Sequence, residues 1–323
     1  MSDQISNTKN TYSLLVGVGK RPGDNDAMSI TAKDAEQLAG EFITSCKFLK
    51  QRVKCLYYND ATKEKFIGQL DKLIADTAKK MADLVVIYFS GHGCQHNGKY
   101  YLVCQDTKDD DIKNTGLEGD FFIKKLQAIK ADKMLVLLDC CHAGGFAKNT
   151  SIPFNEKEFL EKNKNRVILT ASHAEQVSFV SQPLSLFTYA LIEGLTGKYF
   201  KPGDTVVTIF DLAMYVRERV YPLSKRRQQP QLNVLEDSLT SNFAIAQYPA
   251  GKPTAAFPEA FNLLTETGDK IVTDQPVKKD NTYRKQFEWI KNREGIVQIG
   301  TGNIAVKDVS NNSSVTISQN IKK

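Results

Sequence analysis

Long apolar runs are missing from this 323-residue sequence. The longest, LVVIYF and MLVLL, fall far short of the roughly 18 residues that a membrane-spanning helix requires. The start of the chain, MSDQISNTKN, is polar and lacks the apolar stretch of a secretion signal. The sequence therefore predicts a cytoplasmic protein that does not interact with membranes.

Cysteine is also scarce, with six residues in the whole chain, and no CxxC pair occurs. In a chain of this length without a secretion signal, we expect free thiols in a reducing compartment and no disulfide framework. The cysteines are Cys46, Cys55, Cys94, Cys104, Cys140 and Cys141.

Basic clusters are few, although the formal net charge is +6. Lys and Arg are spread along the chain and form no stripe interleaved with aromatic residues, which argues against nucleic acid as a partner. The hydrophobic content of 41% is ordinary for a globular protein. The length suffices for one large domain and an appendage.

Short β-branched runs alternate with amphipathic segments over residues 10–248. Such runs are typical of buried parallel strands, and the segments between them have the apolar spacing of helices. In the segment 32–46 this spacing predicts an apolar face formed by Ala35, Leu38, Ala39 and Phe42. This order predicts an α/β fold with a doubly wound, mostly parallel sheet flanked by helices. The main predicted strands are 11–19, 53–58, 83–89, 133–139 and 166–172, with short strands at 98–106 and 241–246, and the predicted helices are 32–46, 61–81, 119–131, 186–195 and 208–220.

The amino-acid composition changes at residues 247–258, where three prolines among small residues indicate a linker. Beyond it we predict a short helix at 283–290. A small β-hairpin or meander should follow, because apolar residues alternate with polar ones and turns occur at GTGN and SNNSS.

Two glycine-flanked blocks, FSGHG (89–93) and DCCHAGG (139–145), each begin at the end of a predicted strand and continue into a predicted loop. They contain His92 and Cys141. Because the carboxyl ends of parallel strands meet at one edge of a sheet, we expect the imidazole and the thiol to lie close together. An imidazole beside a thiol favours the thiolate and can hand a proton to a leaving amine, so the pair suits nucleophilic catalysis.

The two blocks resemble the catalytic blocks of the caspase-like cysteine peptidases, in particular metacaspases and their bacterial relatives. Caspases place their His about 50 residues before their Cys, as this sequence does. The resemblance covers about residues 10–246 and includes ILTASHAEQVS, LFTYALIEGL and RQQPQL. It implies the caspase-haemoglobinase fold, with a peptidase domain at 1–250 (large-subunit-like 1–147, linker 148–165, small-subunit-like 166–250), a linker at 251–282, and a short helix with a β-rich tail at 283–323.

By the same resemblance, Cys141 is the nucleophile and His92 the general base of acyl transfer. Cys140 fits less well, because the family places its reactive Cys two residues after an Asp and directly before an HxG segment. Backbone N–H groups of Gly93 and Cys141 are the expected donors to the oxyanion, and glycine lets the backbone approach the substrate closely.

Asp139 stands where caspases carry a Gln that helps to hold an acidic substrate side chain. A carboxylate there would repel Asp and attract Arg or Lys. The metacaspase pattern supplies a second carboxylate, for which Asp34 fits better than the alternative Asp26, and Ser90 adds a polar wall. The resemblance thus implies a protein or peptide substrate with a basic residue before the cleaved bond, the P1 residue.

Other interpretations stay open. A cysteine at a strand end is commonly a small buried hydrophobe, and the adjacent Cys140 and Cys141 could form a redox pair. We predict no cofactor, but metals are alternatives. Calcium would use Asp106 and Asp109–Asp111, although the longer acidic insertion of many metacaspases is missing. Zinc would use the alternating His92, Cys94 and His96 together with Cys104 or Cys141.

The resulting hypothesis is a cysteine endopeptidase that cuts after Arg or Lys and is regulated by self-cleavage, a ligand or a partner. A polar run after the Cys141 block offers basic residues for self-cleavage, and the strand edges of the tail could bind a regulatory partner or the core. The alternative is a signalling or scaffold protein that uses a peptidase-like core for binding. The basic residues are Lys148, Lys157, Lys162, Lys164 and Arg166.

Overall fold

The computed structural model describes most of the core and several shorter segments of the chain. These are residues 10–22, 24, 26–140, 165–172, 181–197, 205–235, 242–247, 262–264, 270–271, 296–300, 303–307 and 314–318.

Within them the helices are α1 (Ile30–Thr44), α2 (Lys63–Lys79), α3 (Ile112–Thr115), α4 (Gly119–Ala128), α5 (Leu186–Leu195) and α6 (Ile209–Leu223). The strands are β1 (Thr11–Gly17), β2 (Val53–Tyr57), β3 (Ala82–His96), β4 (Lys99–Val103), β5 (Leu117–Glu118), β6 (Ala131–Cys140), β7 (Arg166–Thr170), β8 (Ser181–Gln182), β9 (Val206–Thr208), β10 (Gln231–Leu235), β11 (Ala244–Gln247), β12 (Asn262–Leu264), β13 (Lys270–Ile271), β14 (Ile296–Gly300), β15 (Asn303–Lys307) and β16 (Ser314–Ser318).

An 11-stranded sheet forms the centre of the molecule, in the order β16-β15-β14-β10-β7-β6-β3-β1-β2, with β4 and β5 attached to β3. The neighbouring strands β2, β1, β3, β6 and β7 are parallel. The direction in which strands are added reverses between β1 and β3, as in doubly wound sheets. The predicted α/β fold class, with its mostly parallel core sheet, is confirmed.

Helices cover both faces of this sheet. One apolar layer packs the sheet against α1, α5 and α6, and the other packs it against α2 and α4. Successive side chains of a strand point to opposite faces, so β3 contributes to both layers. Leu84, Val86 and Tyr88 belong to the first layer, and Val85, Ile87 and Phe89 to the second.

Strand β3 is longer than the sequence analysis predicted. We expected it to end at Phe89 with His92 in a loop, whereas it continues to His96. Its pairing with β6 ends at Gly91, and β4 then becomes its antiparallel partner, with His92 opposite Val103. Extended backbone that leaves a sheet needs new hydrogen-bond partners, and β4 supplies them. The expectation of a loop at His92 is therefore wrong, although His92 does lie beyond the edge of the parallel sheet.

Strand β7 begins at Arg166, which is only 4% exposed. Its guanidinium Nη2 donates a 2.9 Å hydrogen bond to the carbonyl oxygen of Ala131. The inclusion of Arg166 in an exposed basic run is therefore wrong, because a parallel sheet buries the residues of its inner strands. The predicted linker before it lies outside the described residues except for Asn165.

Strand β10 joins the C-terminal tail to the core sheet. It pairs antiparallel with β7 on one side and with β14 on the other. Strands β15 and β16 then extend the sheet as an antiparallel meander, one of the two forms that we predicted for the tail. The sequence analysis missed β10 itself, which begins inside the RQQPQL block. The tail thus continues the central sheet along the edge of β10, and its binding to a partner stays a prediction.

The described residues also form two small sheets. Strands β9 and β11 form an antiparallel pair, and β11 overlaps the strand predicted at 241–246. Strands β12 and β13 pair with each other and β12 with β8, so the predicted linker at 251–282 contains strands. The helix predicted at 283–290 falls outside the described residues. In the part of the chain that is described, no helix has the length and apolarity needed to cross a bilayer.

Candidate active site

Helix α1 approaches the sheet closely because β1 ends in a glycine. A side-chain carbon at Gly17 would lie 2.4 Å from the carbonyl oxygen of Thr31, so a larger residue would push the helix away. This contact brings Asp34, one turn further along α1, toward the carboxyl ends of β1 and β3. The predicted apolar face of the helix is buried in the first layer: Ala35, Leu38, Ala39 and Phe42.

Three residues predicted to line the substrate pocket lie together. Ser90 in β3 is the register partner of Asp139 in β6. The Ser90 hydroxyl donates a 3.2 Å hydrogen bond to Asp34 Oδ2. Asp34 is 0% exposed, Ser90 1% and Asp139 4%, so both carboxylates are buried. The side chain of the alternative, Asp26, lies outside the described residues.

Ser185, the residue before α5, links the two carboxylates. Its backbone N–H donates a 2.8 Å hydrogen bond to Asp34 Oδ1, and its hydroxyl donates to Asp139 Oδ2. The same hydroxyl accepts the Thr188 N–H at 3.2 Å, which caps the helix. One residue therefore fixes the start of α5 and both acidic side chains.

A second hydroxyl pair supports Asp139. Thr188 Oγ1 donates a 2.9 Å hydrogen bond to Asp139 Oδ2 and lies 2.6 Å from the Tyr88 hydroxyl. Since a hydroxyl carries only one proton, Tyr88 is the donor to Thr188. Burial, with the charges of Asp34 and Asp139, raises the pKa of Tyr88 well above its usual range, so Tyr88 keeps that proton.

Burial raises the pKa of Asp34 well above its ordinary range, and the negative charge of Asp139 raises it further. Hydrogen bonds from Ser185 and Ser90 act in the opposite direction. Among the described residues, the groups that hydrogen-bond Asp34 are neutral amides and hydroxyls. A buried carboxylate that faces a second carboxylate is costly to ionise, and a bound cation would offset that cost.

His92 lies on β3 two residues after Ser90, just beyond the two buried carboxylates. Its side chain is 34% exposed, and its Nε2 atom lies 3.3 Å from Oδ1 of Asp24. Gly93, the predicted oxyanion donor, lies within β3 opposite Leu102. Cys141, the predicted nucleophile, falls outside the described residues, but it directly follows Cys140, which pairs with Gly91 next to His92.

Cys140 is a core residue. It is 0% exposed, and its Sγ atom lies 3.4 Å from the hydroxyl oxygen of Tyr100. A thiol enclosed in this way cannot reach a substrate carbonyl, which disfavours Cys140 as the nucleophile.

Several residues of the two metal alternatives have protein partners. Asp109 forms a 2.6 Å ion pair with Arg21, and Asp106 accepts the backbone N–H of Lys63 at 2.8 Å. The imidazole of His96 lies 3.1 Å from the amide nitrogen of the Asn97 side chain. Over the described residues, no group of three or more His, Cys, Asp and Glu side chains has an arrangement that could hold a metal ion.

Sequence reasoning missed Asp24, Ser185 and Thr188. A signal existed for Ser185, since a serine directly before a predicted helix is a typical N-cap. Asp24 lies close to the Asp26 that we considered, but nothing local indicates that it contacts His92. These contacts join residues far apart in the sequence, so they emerge only once the fold is known.

Comparison with known proteins found a matching family model and similar solved structures. The family model of the caspase domain, peptidase C14, matches residues 11–243. The Drosophila initiator caspase Dronc is similar in structure, with 13% sequence identity, a TM-score of 0.51, and coverage of 76% of this chain and 88% of Dronc. A protein from Geobacter sulfurreducens has 15% identity, a TM-score of 0.47, and coverage of 75% of this chain and 98% of its own.

A search among curated proteins gave no significant match. The likeness to Dronc supports the fold, and the family model spans most of the chain. The chain therefore belongs to the caspase-domain family of cysteine peptidases.

Proposed function

We propose that this protein is a cysteine endopeptidase that cleaves its substrates after Arg or Lys. The observation that carries the proposal is the burial of Asp34 beside Asp139, with neutral donors around Asp34. Ser90, which bonds to Asp34, lies two residues before His92 on β3. Two adjacent buried carboxylates destabilise a fold unless something cationic joins them. The P1 side chain of a basic substrate is such a cation.

The chemistry of the proposed reaction is acyl transfer. The Cys141 thiol loses its proton to His92 and attacks the scissile carbonyl, and the backbone N–H groups of Gly93 and Cys141 stabilise the oxyanion. His92 then gives the proton to the leaving amine, and a water molecule activated by His92 hydrolyses the acyl-enzyme. No cofactor enters this sequence of steps.

The acidic pair sets the proposed specificity. Asp139 precedes Cys141 by two residues, so we expect its carboxylate to lie where a P1 side chain would extend from a carbonyl under attack. Asp34 and Ser90 would complete the binding site, and a guanidinium could bond to both carboxylates in a planar, forked geometry. A substrate Asp would meet like charges in a desolvated site and be rejected.

Four fluorogenic peptides that differ only at P1, with Arg, Lys, citrulline or Asp, test this proposal. Citrulline has nearly the shape of Arg without the charge. We expect Arg and Lys to be cleaved and citrulline to lose the equivalent of about 2–5 kcal/mol in kcat/KM, since it leaves buried charges unpaired. Preference for Asp would overturn the specificity. Absence of turnover, with and without added Ca²⁺, would favour the scaffold alternative.

Self-cleavage remains part of the proposal, with a narrower set of sites. Arg166 is buried in β7 and its side chain bonds to Ala131, so a P1 role would require the strand to open. The same burial lowers the pKa of Arg166 to about 10. Cleavage should therefore map to the lysines between 148 and 164 and should be absent in Cys141→Ala.

A further inference from the structure

We propose that Asp24 is a positioning residue for His92, with its carboxylate accepting the Nε2–H proton of the imidazole so that Nδ1 is left to exchange protons with the nucleophile. The inference rests on the proposed Cys–His chemistry. It starts from the 3.3 Å separation between Asp24 Oδ1 and His92 Nε2.

The Asp24 carboxylate is held by its second oxygen. Oδ2 accepts the backbone N–H of Arg21 at 2.9 Å, and the backbone N–H of Asp24 donates back to the Arg21 carbonyl at 3.1 Å. The side chain of Asp24 is only 11% exposed. These bonds close a turn after β1 and hold the carboxylate with its other oxygen, Oδ1, 3.3 Å from the imidazole Nε2.

Arg21 also connects this turn to the segment that follows β4. Arg21 is 6% exposed, and its Nη2 atom donates to the carbonyl oxygen of Thr107 at 2.7 Å and to Asp109 at 2.6 Å. Residues 107 and 109 follow β4, the strand that pairs with β3 at His92. The supports of Asp24 and of His92 therefore belong to one hydrogen-bonded unit.

This geometry has a chemical consequence. A neutral imidazole carries one N–H, and a carboxylate at Nε2 keeps the proton on that nitrogen. Nδ1 then has a free lone pair, so the thiol proton of Cys141 moves to Nδ1 and passes from there to the leaving amine. The imidazolium formed between these steps is stabilised by the nearby carboxylate of Asp24.

Asp24→Asn separates this role from a structural one. Asparagine keeps an oxygen for the Arg21 N–H but has no charge, and its amide can present a donor to Nε2 and favour the wrong tautomer. We expect kcat on the P1-Arg peptide to fall by about 10-fold or more, with KM within about twofold, because the substrate pocket is separate. Asp71→Asn, a surface change in α2, is the matched control and should leave both constants unchanged.

Two kinetic results would overturn the proposed role of Asp24. If Asp24→Asn retains the wild-type kcat while Asp24→Ala unfolds or loses activity, Asp24 only holds the turn and the inference is wrong. A rise in KM that accounts for the whole loss would also overturn it. Thermal unfolding of each variant identifies loss of fold.

A second readout separates this inference from the proposed function. Iodoacetamide labelling of Cys141, measured by peptide mass spectrometry, reports the reactive thiol without any peptide substrate. If wild-type labelling is fast and depends on His92 while no peptide is cleaved, the proposed function fails, and slower labelling in Asp24→Asn still supports the inference. If labelling of Cys141 is the same in wild type, His92→Ala and Asp24→Asn, the inference fails.

Discussion

The backbone amide of Ser185 donates a 2.8 Å hydrogen bond to the carboxylate of Asp34, which lies 151 residues earlier in the chain. The Ser185 hydroxyl holds Asp139 as well. The acidic pair is thus assembled from three parts of the chain, α1, the end of β6 and the start of α5. The proposed specificity depends on all three, and the part that contributes Ser185 follows the proposed self-cleavage segment.

Ser185→Ala should reduce both stability and substrate binding. Loss of an N-cap hydroxyl costs about 0.5–2 kcal/mol of unfolding free energy. Loss of the bond to Asp139 should also lower kcat/KM for P1-Arg by about 10-fold. Thr208→Ala is the matched control, since Thr208 caps α6 by accepting the Asp211 N–H at 3.3 Å. It should lose similar stability without losing kcat/KM, and equal kinetic losses in both variants would contradict the role of Ser185.

Asp34→Asn should stabilise the protein at neutral pH while it weakens activity. The raised pKa of Asp34 means that the folded state binds this proton more tightly than the unfolded state does. The contribution of Asp34 to stability is therefore complete below its ordinary pKa of 3.8 and is lost as the pH rises through the raised value. Asparagine does not titrate, so the variant should gain about 0.5–2 kcal/mol at pH 7, as in other cases where function costs stability.

Urea unfolding of wild type and Asp34→Asn across a pH series measures this difference. The gain should shrink on acidification toward the ordinary pKa of a carboxyl group. A variant that is less stable at neutral pH, or a difference that does not change with pH, would show that Asp34 is not held in the folded protein at a raised pKa.

Asp139→Asn should change specificity more than it changes the catalytic step. The variant keeps a polar side chain that can bond to Ser185 and Thr188, but the P1 site loses one charge. We expect kcat/KM for P1-Arg to fall by about 30-fold or more, while the citrulline peptide changes by less than about threefold. Equal losses on both peptides would indicate a general disturbance of the site.

Much of the fold followed from local patterns. Helix α5 was predicted with the observed bounds, and the apolar face of α1 is buried as expected. Strand β10 was missed because it is short and directly follows a proline and a basic run. Its pairing with β7 becomes evident only in the fold. The extension of β3 was missed for a related reason, since glycines at 91 and 93 usually indicate a loop and only β4 makes them part of a strand.

The candidate site was also predicted only in part. Asp34, Ser90 and Asp139 were predicted together from the resemblance, and the structure brings them together. Asp24 and Ser185 depend on distant contacts, with His92 and with Asp34, that no local pattern encodes. Sequence motifs thus led to the proposed reacting and binding residues. They did not lead to Asp24 and Ser185, which contact those residues from distant parts of the chain.

Deletion of residues 295–323 should promote self-association. It removes β14, β15 and β16 and exposes the N–H and C=O groups along the edge of β10, which can then pair with another copy. Sedimentation velocity on the full chain and the truncated chain would measure this, with dimers or larger species expected only after truncation. A truncated chain that stays monomeric at high concentration would show that the edge is protected in some other way.

The most direct measurement is the cleavage of the P1-Arg peptide by the wild-type protein and by Cys141→Ala and Cys140→Ala, each checked for folding. We expect activity in the wild type, loss of at least about 1000-fold in Cys141→Ala, and retention of most activity in Cys140→Ala, because the Cys140 thiol is buried. Activity that survives in Cys141→Ala, or that is lost only in a folded Cys140→Ala, would contradict this expectation.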